Sequence, residues 1–303
     1  MRPPATALVA IFGTALACGS AAPPPGASRS TWTTLRVEHD GRARTVCAQL
    51  PRGAGAQPPL LIVLHGRFSS GRGIARDTGW PAVAARHGAV ALYPNGVGLL
   101  GLFRHWNAEF CCGPAAKRGI DDIGLIRRLI EEAPERLRVD PSAVFVYGHS
   151  NGGMLAHRFA ARHPDLVDGI ATTGAVAGAT WVEPVYPPPA DSPVPVVMVH
   201  GRQDHAVPFD GGRPFGVGPA GTARYWAESN GCGDAPRLAS ERDGAVARRT
   251  WCAGTDHPIS LLALAGWGHD VPSPRFTERL PEEDPLRGFD GAAEMWRLLT
   301  DRP

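Results

Sequence analysis

The chain has 303 residues, 43% of them hydrophobic and 20% charged, with a formal net charge of +2. That is enough apolar material for one large core, and the size is ordinary for a single α/β domain. The near-neutral balance and the lack of a basic block argue against a nucleic-acid partner.

The first residues read as an export leader. Arg2 supplies a thin positive start, and residues 7–16 are apolar but too short to span a bilayer. Ala15-Leu16-Ala17 offers an A-x-A cleavage site, so residues 1–17 are predicted to be a signal peptide. Cys18-Gly19-Ser20 follows, which leaves two outcomes open: a freely secreted protein, or a lipid anchor at Cys18. Residues 18–30 are small and proline-rich and are expected to be a linker, with the folded domain over 31–303. Six cysteines in an exported chain fit an oxidising compartment. Cys232 and Cys252 flank a polar segment and are expected to bridge. Cys47 is expected to pair with Cys111 or Cys112, unless those two adjacent cysteines bond to each other. A metal site using Cys111, Cys112 and His105 is the lesser alternative, because C-x-x-C spacing is lacking.

Residues 32–37 and 44–50 alternate in polarity around Asp40-Gly41, a strong hairpin signal. Residues 60–64 form a continuous apolar run, as in a strand buried on both faces of a parallel sheet. A helical pattern follows over 80–87, and a strand over 89–93. Residues 97–119 form a long glycine-rich excursion containing Phe103, His105, Trp106 and Asn107, and loops this long in compact domains are usually functional. Asp121-Asp122 reads as the start of a helix whose apolar positions Ile123, Ile126, Leu129 and Ile130 recur at helical spacing. Further strands are expected at 144–147, 168–172, 196–199 and 259–264, and helices at 154–160, 221–229 and 289–299. Strands alternating with helices predict one doubly wound, mostly parallel sheet with an N-terminal antiparallel hairpin, in a single domain.

In open α/β sheets, ligands bind beyond the carboxyl ends of the strands. Four predicted strands end in candidate chemistry: His65-Gly66-Arg67, Ser150, Asp204 and His269. Gly148-His149-Ser150-Asn151-Gly152 fits G-x-S-x-G, a sharp strand-to-helix turn that lifts a serine to its apex. Serine followed by acid and then histidine is the α/β-hydrolase chain order. Ser150 is therefore the candidate nucleophile, His269 its base, and Asp204 the acid that orients the base. Asp204 is preferred over Asp210, Asp256 and Asp270 because it follows a buried strand and its loop continues into Val207-Pro208. The backbone N–H groups of Asn151 and Arg67 are the candidate oxyanion donors. His65 and His200 are expected to be structural. His149, Trp106 and Trp267 are candidate substrate-pocket residues.

These motifs, with Leu64-His65-Gly66, Tyr93-Pro94-Asn95-Gly96, Trp106-Asn107-Ala108, Cys111-Cys112-Gly113, Asp121-Asp122-Ile123-Gly124 and His200-Gly201, carry a resemblance. The chain resembles the polyhydroxybutyrate depolymerase and feruloyl esterase group of secreted α/β-hydrolases, carbohydrate esterase family 1, from about residue 60 to residue 269. The resemblance implies an α/β-hydrolase fold, an extracytoplasmic location, and hydrolysis of carboxylic esters without a metal or organic cofactor. The expected partner is a small-molecule or polysaccharide-linked ester. The histidine motif departs from the group's pattern of Gly-Gly-Gly-His followed by Trp-Pro: here Trp267 precedes His269, and Asp270-Val271-Pro272 follows it. No further carbohydrate- or polymer-binding module is evident, which favours a soluble ester over solid polymer. The alternatives are a prolyl-oligopeptidase-like peptidase, which normally carries a propeller ahead of this core, and a non-catalytic lipoprotein on a hydrolase scaffold.

Overall fold

The computed structural model describes residues 30–53, 55–99, 101–111, 113–180, 184–185, 190–212, 215–233 and 235–302. The predicted leader, Cys18, the linker up to residue 29, and Cys112 lie outside the described residues. Ser30, assigned above to the linker, is the first residue of a strand.

Among the described residues the main sheet has ten strands: β1 (Ser30–His39), β2 (Arg42–Pro51), β3 (Leu60–Leu64), β4 (Val90–Pro94), β5 (Val144–His149), β6 (Gly169–Thr173), β7 (Val196–Gly201), β8 (Arg237–Glu241), β9 (Val246–Trp251) and β10 (Ile259–Leu264). Their order is β1-β2-β4-β3-β5-β6-β7-β10-β9-β8. The run from β4 to β10 is parallel, with antiparallel pairs at both edges. Between β1 and β2, Asp40 (φ 52°) and Gly41 (φ 65°) both take the left-handed conformation. A tight turn with two positive φ angles matches the right-handed twist of the strands it joins, which is why Asp-Gly marked this hairpin.

The longer helices are α1 (Gly71–Asp77), α2 (Trp80–His87), α3 (Asp122–Leu137), α4 (Asn151–Arg162), α5 (Gly218–Ser229) and α6 (Gly291–Thr300). They cover both faces of the sheet, and β3 shows why its sequence is apolar throughout. Leu60, Ile62 and Leu64 pack into a cluster with Leu125 and Leu129 of α3 and Leu155 of α4. Leu61 and Val63 point the other way, into a cluster with Trp80 of α2 and Trp296 of α6. Each such side chain contributes roughly 1.5–3 kcal/mol on full burial. Asp121 caps α3 by accepting from the Gly124 N–H at 2.8 Å, in keeping with the expected helix start.

Three features were not anticipated. Strands β8 and β9 extend the far edge of the sheet. Leu238 of β8 is 71% exposed, and β9 buries only Val246 and Trp251 at its two ends around Arg248-Arg249-Thr250, so no alternating apolar stripe announced them. Helix α1 precedes the expected helix at 80–87, with Ser70 as its N-cap. The long excursion carries a small hairpin (Val97–Leu99 and Leu102–His105) and a helical turn (Gly113–Lys117).

Cys232 and Cys252 form the expected bridge across 20 residues of chain. Cys47 and Cys111 are disulfide-bonded as well. The bond at Cys111 removes the thiolate that a metal would need there, so the alternative metal site with His105 is set aside.

Candidate active site

The carboxyl edge of the sheet gathers the four strand ends named above. Ser150 sits between β5 and α4 with φ 51° and ψ −121°, a conformation costing on the order of 1–3 kcal/mol for a residue with a side chain. The surroundings hold it there. Its N–H donates to Thr173 O at 2.9 Å, and its carbonyl accepts from the Met154 N–H at 2.9 Å. The elbow also demands close backbone approach: a Cβ on Gly148 would lie 2.3 Å from Gly152 O, and one on Gly152 would lie 2.5 Å from His65 O.

His269 Nε2 lies 3.0 Å from Ser150 Oγ. Its Nδ1 lies 2.7 Å from Asp204 Oδ2. This is the spacing at which a serine hydroxyl donates to an imidazole whose other nitrogen donates to a carboxylate. The Asp204 carboxylate is fully buried, while His269 keeps 29% of its side chain exposed. Burial opposes ionisation of Asp204. The hydrogen bonds from His200 and His269, and from the Val207 N–H, outweigh it and hold the carboxyl well below the usual range. Asp204 Oδ1 accepts from the N–H groups of Ala206 (2.9 Å) and Val207 (2.8 Å), while His200 Nε2 donates to Val207 O at 2.8 Å. His200 thus braces the turn that carries Asp204, the structural role expected of it.

The N–H groups of Asn151, at the start of α4, and of Arg67, after β3, donate to no other described residue. Both residues line the same cavity as Ser150 and His269, and α4 directs its N-terminal end at it.

The family model for the alpha/beta hydrolase fold matches residues 111–194. "Putative esterase NocK" of Nocardia uniformis subsp. tsuyamanensis is 29% identical over 274 residues, spanning 82% of this chain and 77% of that protein. Feruloyl esterase C of Emericella nidulans is 26% identical over 257 residues, spanning 81% of this chain and 83% of that protein. Among solved structures, acetyl xylan esterase from Aspergillus awamori superposes with a TM-score of 0.60 at 17% identity, covering 80% of this chain and 95% of that one. The chain has the α/β-hydrolase fold and is similar to a feruloyl esterase-like group of these enzymes. Its class is that of the carboxylic ester hydrolases.

The hydrolase cavity has a volume of about 830 Å³. Its polar floor is made by Gly66, Arg67, His149, Ser150, Asn151 and His269, and its walls carry Phe68, Phe110, Met154, Phe215, Val271 and Phe276. His149 stands where the pocket nomination put it. Its ring centroid is 5.0 Å from that of His269, and its Nδ1 is 3.0 Å from Thr173 Oγ1. Burial, reinforced by the neighbouring His269, lowers its pKa to about 3, so it stands beside His269 as a neutral ring.

The two tryptophans nominated for the pocket do not line it. Trp106 is 0% exposed and belongs to the core. Trp267 is buried beneath the histidine loop, where its Nε1–H donates to Asp270 O at 2.7 Å and its carbonyl accepts from the Gln203 N–H at 2.9 Å. It therefore fastens the His269 loop to the Asp204 loop. Both indoles are instead buried beneath the backbone with their Nε1–H groups donating to main-chain carbonyls, of His65 and of Asp270. The phenylalanines that do line the walls come from α1-adjacent loops and distant segments, and only Phe68, directly after Gly66-Arg67, had a local signal that could have marked it.

Proposed function

We propose that this protein is an extracytoplasmic serine esterase that cleaves aryl-acyl or other short carboxylic esters, small or glycan-linked, through an acyl-enzyme on Ser150. The observation that carries the reading is the continuous relay from Ser150 Oγ through His269 to Asp204, at 3.0 and 2.7 Å, opening onto the large cavity. His269 takes the hydroxyl proton as Ser150 Oγ attacks the ester carbonyl. Asp204 stabilises the imidazolium that forms. The oxyanion accepts from the Asn151 and Arg67 N–H groups, each such donor contributing roughly 10²–10³ in rate. Collapse of the adduct breaks the acyl–oxygen bond, and His269 returns the proton to the departing alcohol. Water then attacks the acyl-enzyme with His269 again as base, releasing the carboxylic acid and restoring Ser150.

The aromatic walls formed by Phe68, Phe110, Phe215 and Phe276 suit a planar aryl acyl group, in line with the feruloyl esterase among the relatives. Export rests on the leader-like residues 1–17 and on the disulfides. Among the described residues no helix is long and apolar enough to cross a membrane.

The test is hydrolysis of p-nitrophenyl acetate and methyl ferulate by the wild type and by Ser150→Ala. The wild type is expected to turn over both esters, and the variant to lose at least about 10³-fold in kcat. An inert wild type, or a Ser150→Ala protein with full activity, refutes the mechanism.

A further inference from the structure

Trp106 touches both strand ends that carry the oxyanion donors. Its backbone N–H donates to Asn151 Oδ1 at 2.8 Å, and its carbonyl accepts from Asn151 Nδ2 at 3.1 Å. Its indole Nε1–H donates to His65 O at 2.8 Å, and its ring packs on the His65 imidazole at a centroid distance of 4.8 Å. No cavity-facing role is open to it, because it is wholly buried.

His65 transmits this hold to the second donor. The Gly96 N–H donates to His65 Nε2 at 3.0 Å, so that nitrogen is unprotonated, and Nδ1 must carry the proton that it donates to Gly66 O at 2.7 Å. Burial keeps the ring neutral, with its pKa lowered to about 3. The Gly66 carbonyl and the Arg67 N–H are opposite ends of one planar peptide unit. Fixing the carbonyl therefore fixes the direction of the N–H. The segment around Trp106 is itself anchored, since the Asn107 N–H donates to the buried Asp122 carboxylate at 2.7 Å, and Asp122 pairs with Arg44, also at 2.7 Å.

We infer that Trp106 is a positioning residue for the oxyanion site: through its indole N–H and its backbone pair with Asn151 it sets the Arg67 and Asn151 N–H groups at the spacing the tetrahedral intermediate requires. The inference rests on the esterase reading above. Preorganised donors lose most of their effect when displaced by about 1 Å, and such displacement costs about 10²-fold.

Trp106→Phe keeps the ring and the backbone bonds to Asn151 but removes the donor to His65 O. Asn151→Ala keeps the Asn151 backbone N–H but removes both side-chain bonds to Trp106. Each variant is assayed on p-nitrophenyl acetate for kcat and KM, and for inhibition by an aryl trifluoromethyl ketone, whose adduct with Ser150 carries an oxyanion. For each, kcat is expected to fall about 10- to 100-fold with KM within about threefold, and ketone affinity to weaken by the same factor as kcat/KM. A purely structural role would lower the melting temperature and leave the ketone affinity of the folded enzyme unchanged. If Trp106→Phe does not fold, Asn151→Ala supplies the same readings. A folded variant with kcat within twofold of wild type, or with a fall in kcat unmatched by loss of ketone affinity, overturns the positioning role. A Ser150→Ala control that keeps activity overturns the esterase reading instead, so the two failures are told apart.

Discussion

Asp204→Asn is the sharpest test of the relay, because the surroundings dictate how the amide must sit. Oδ1 of Asp204 faces two backbone donors, the N–H groups of Ala206 and Val207, at 2.9 and 2.8 Å. Oδ2 faces His269 Nδ1 at 2.7 Å and His200 Nε2 at 3.3 Å. An asparagine must keep its oxygen towards the two backbone N–H groups, since turning round would set its NH₂ against both. Its NH₂ then meets His269 Nδ1, which can only accept if the imidazole proton moves to Nε2. That is the nitrogen 3.0 Å from Ser150 Oγ, and once protonated it cannot take the serine proton. The loss of the correct tautomer corresponds to about 10⁴ in kcat, or about 5.4 kcal/mol of transition-state stabilisation, with KM little changed. Initial rates on p-nitrophenyl acetate at pH 7.5 measure it, with circular dichroism to check that the variant is folded. A folded Asp204→Asn enzyme within tenfold of wild type would refute both the tautomer argument and the choice of Asp204 as the acid.

Acid should weaken the fold through two wholly buried histidines. Burial lowers the pKa of His65 and of His157 to about 3 in the folded chain, against roughly 6.5 when unfolded. The unfolded chain therefore binds protons first as pH falls below about 6.5, so the stabilisation is complete above neutrality and is lost progressively towards pH 3. At pH 5.5 each ring costs about 1.4 kcal/mol, and the pair about 3 kcal/mol, relative to pH 7.5. Urea denaturation at the two pH values checks this, and a His157→Gln variant should show a smaller difference. Gly152→Ala would set a Cβ 2.5 Å from His65 O and 2.6 Å from Leu64 O, both backbone atoms of the first donor strand. It should destabilise the protein by about 2 kcal/mol or more and lower kcat at least about tenfold, read from thermal melts and ester assays. Arg44→Ala would leave the Asp122 carboxylate, whose side chain is 0% exposed, buried without its cation. A cost of about 3–5 kcal/mol is expected by urea denaturation.

Much of the hydrolase core was legible because its signals are local. The apolar run of β3, the Asp-Gly turn between β1 and β2, and the helical spacing after Asp121 each report on a few neighbouring residues whose burial or φ angle follows directly from residue type. Ser150, Asp204 and His269, the proposed nucleophile, acid and base, could be picked out for a related reason: each follows a buried strand, and a doubly wound sheet brings those ends to one edge. Strands β8 and β9 escaped because β8 is an exposed edge strand that needs no apolar face, and β9 buries only its end residues Val246 and Trp251 around a polar middle. Asp243-Gly244, between two alternating runs, was the one available sign of that hairpin. The cavity walls escaped because Phe110, Phe215 and Phe276 come from segments far apart in the chain, and no spacing rule joins them.

Trp106 shows where reading by side-chain type stops. A tryptophan in a long loop presents two obvious options, a cleft wall or core filling, and both consider the ring alone. In the folded chain the ring is indeed buried, but the bonds that bear on the proposed chemistry are made by its N–H groups and its carbonyl, to residues 41 and 45 positions away. Those groups exist at almost every residue, so they carry no signature until the fold brings partners to them. What makes this position suited to an indole is the pairing of a donor at the ring edge with enough apolar surface to fill the space beneath two strand ends. Phenylalanine supplies only the second of these, and this is why Trp106→Phe separates packing from positioning.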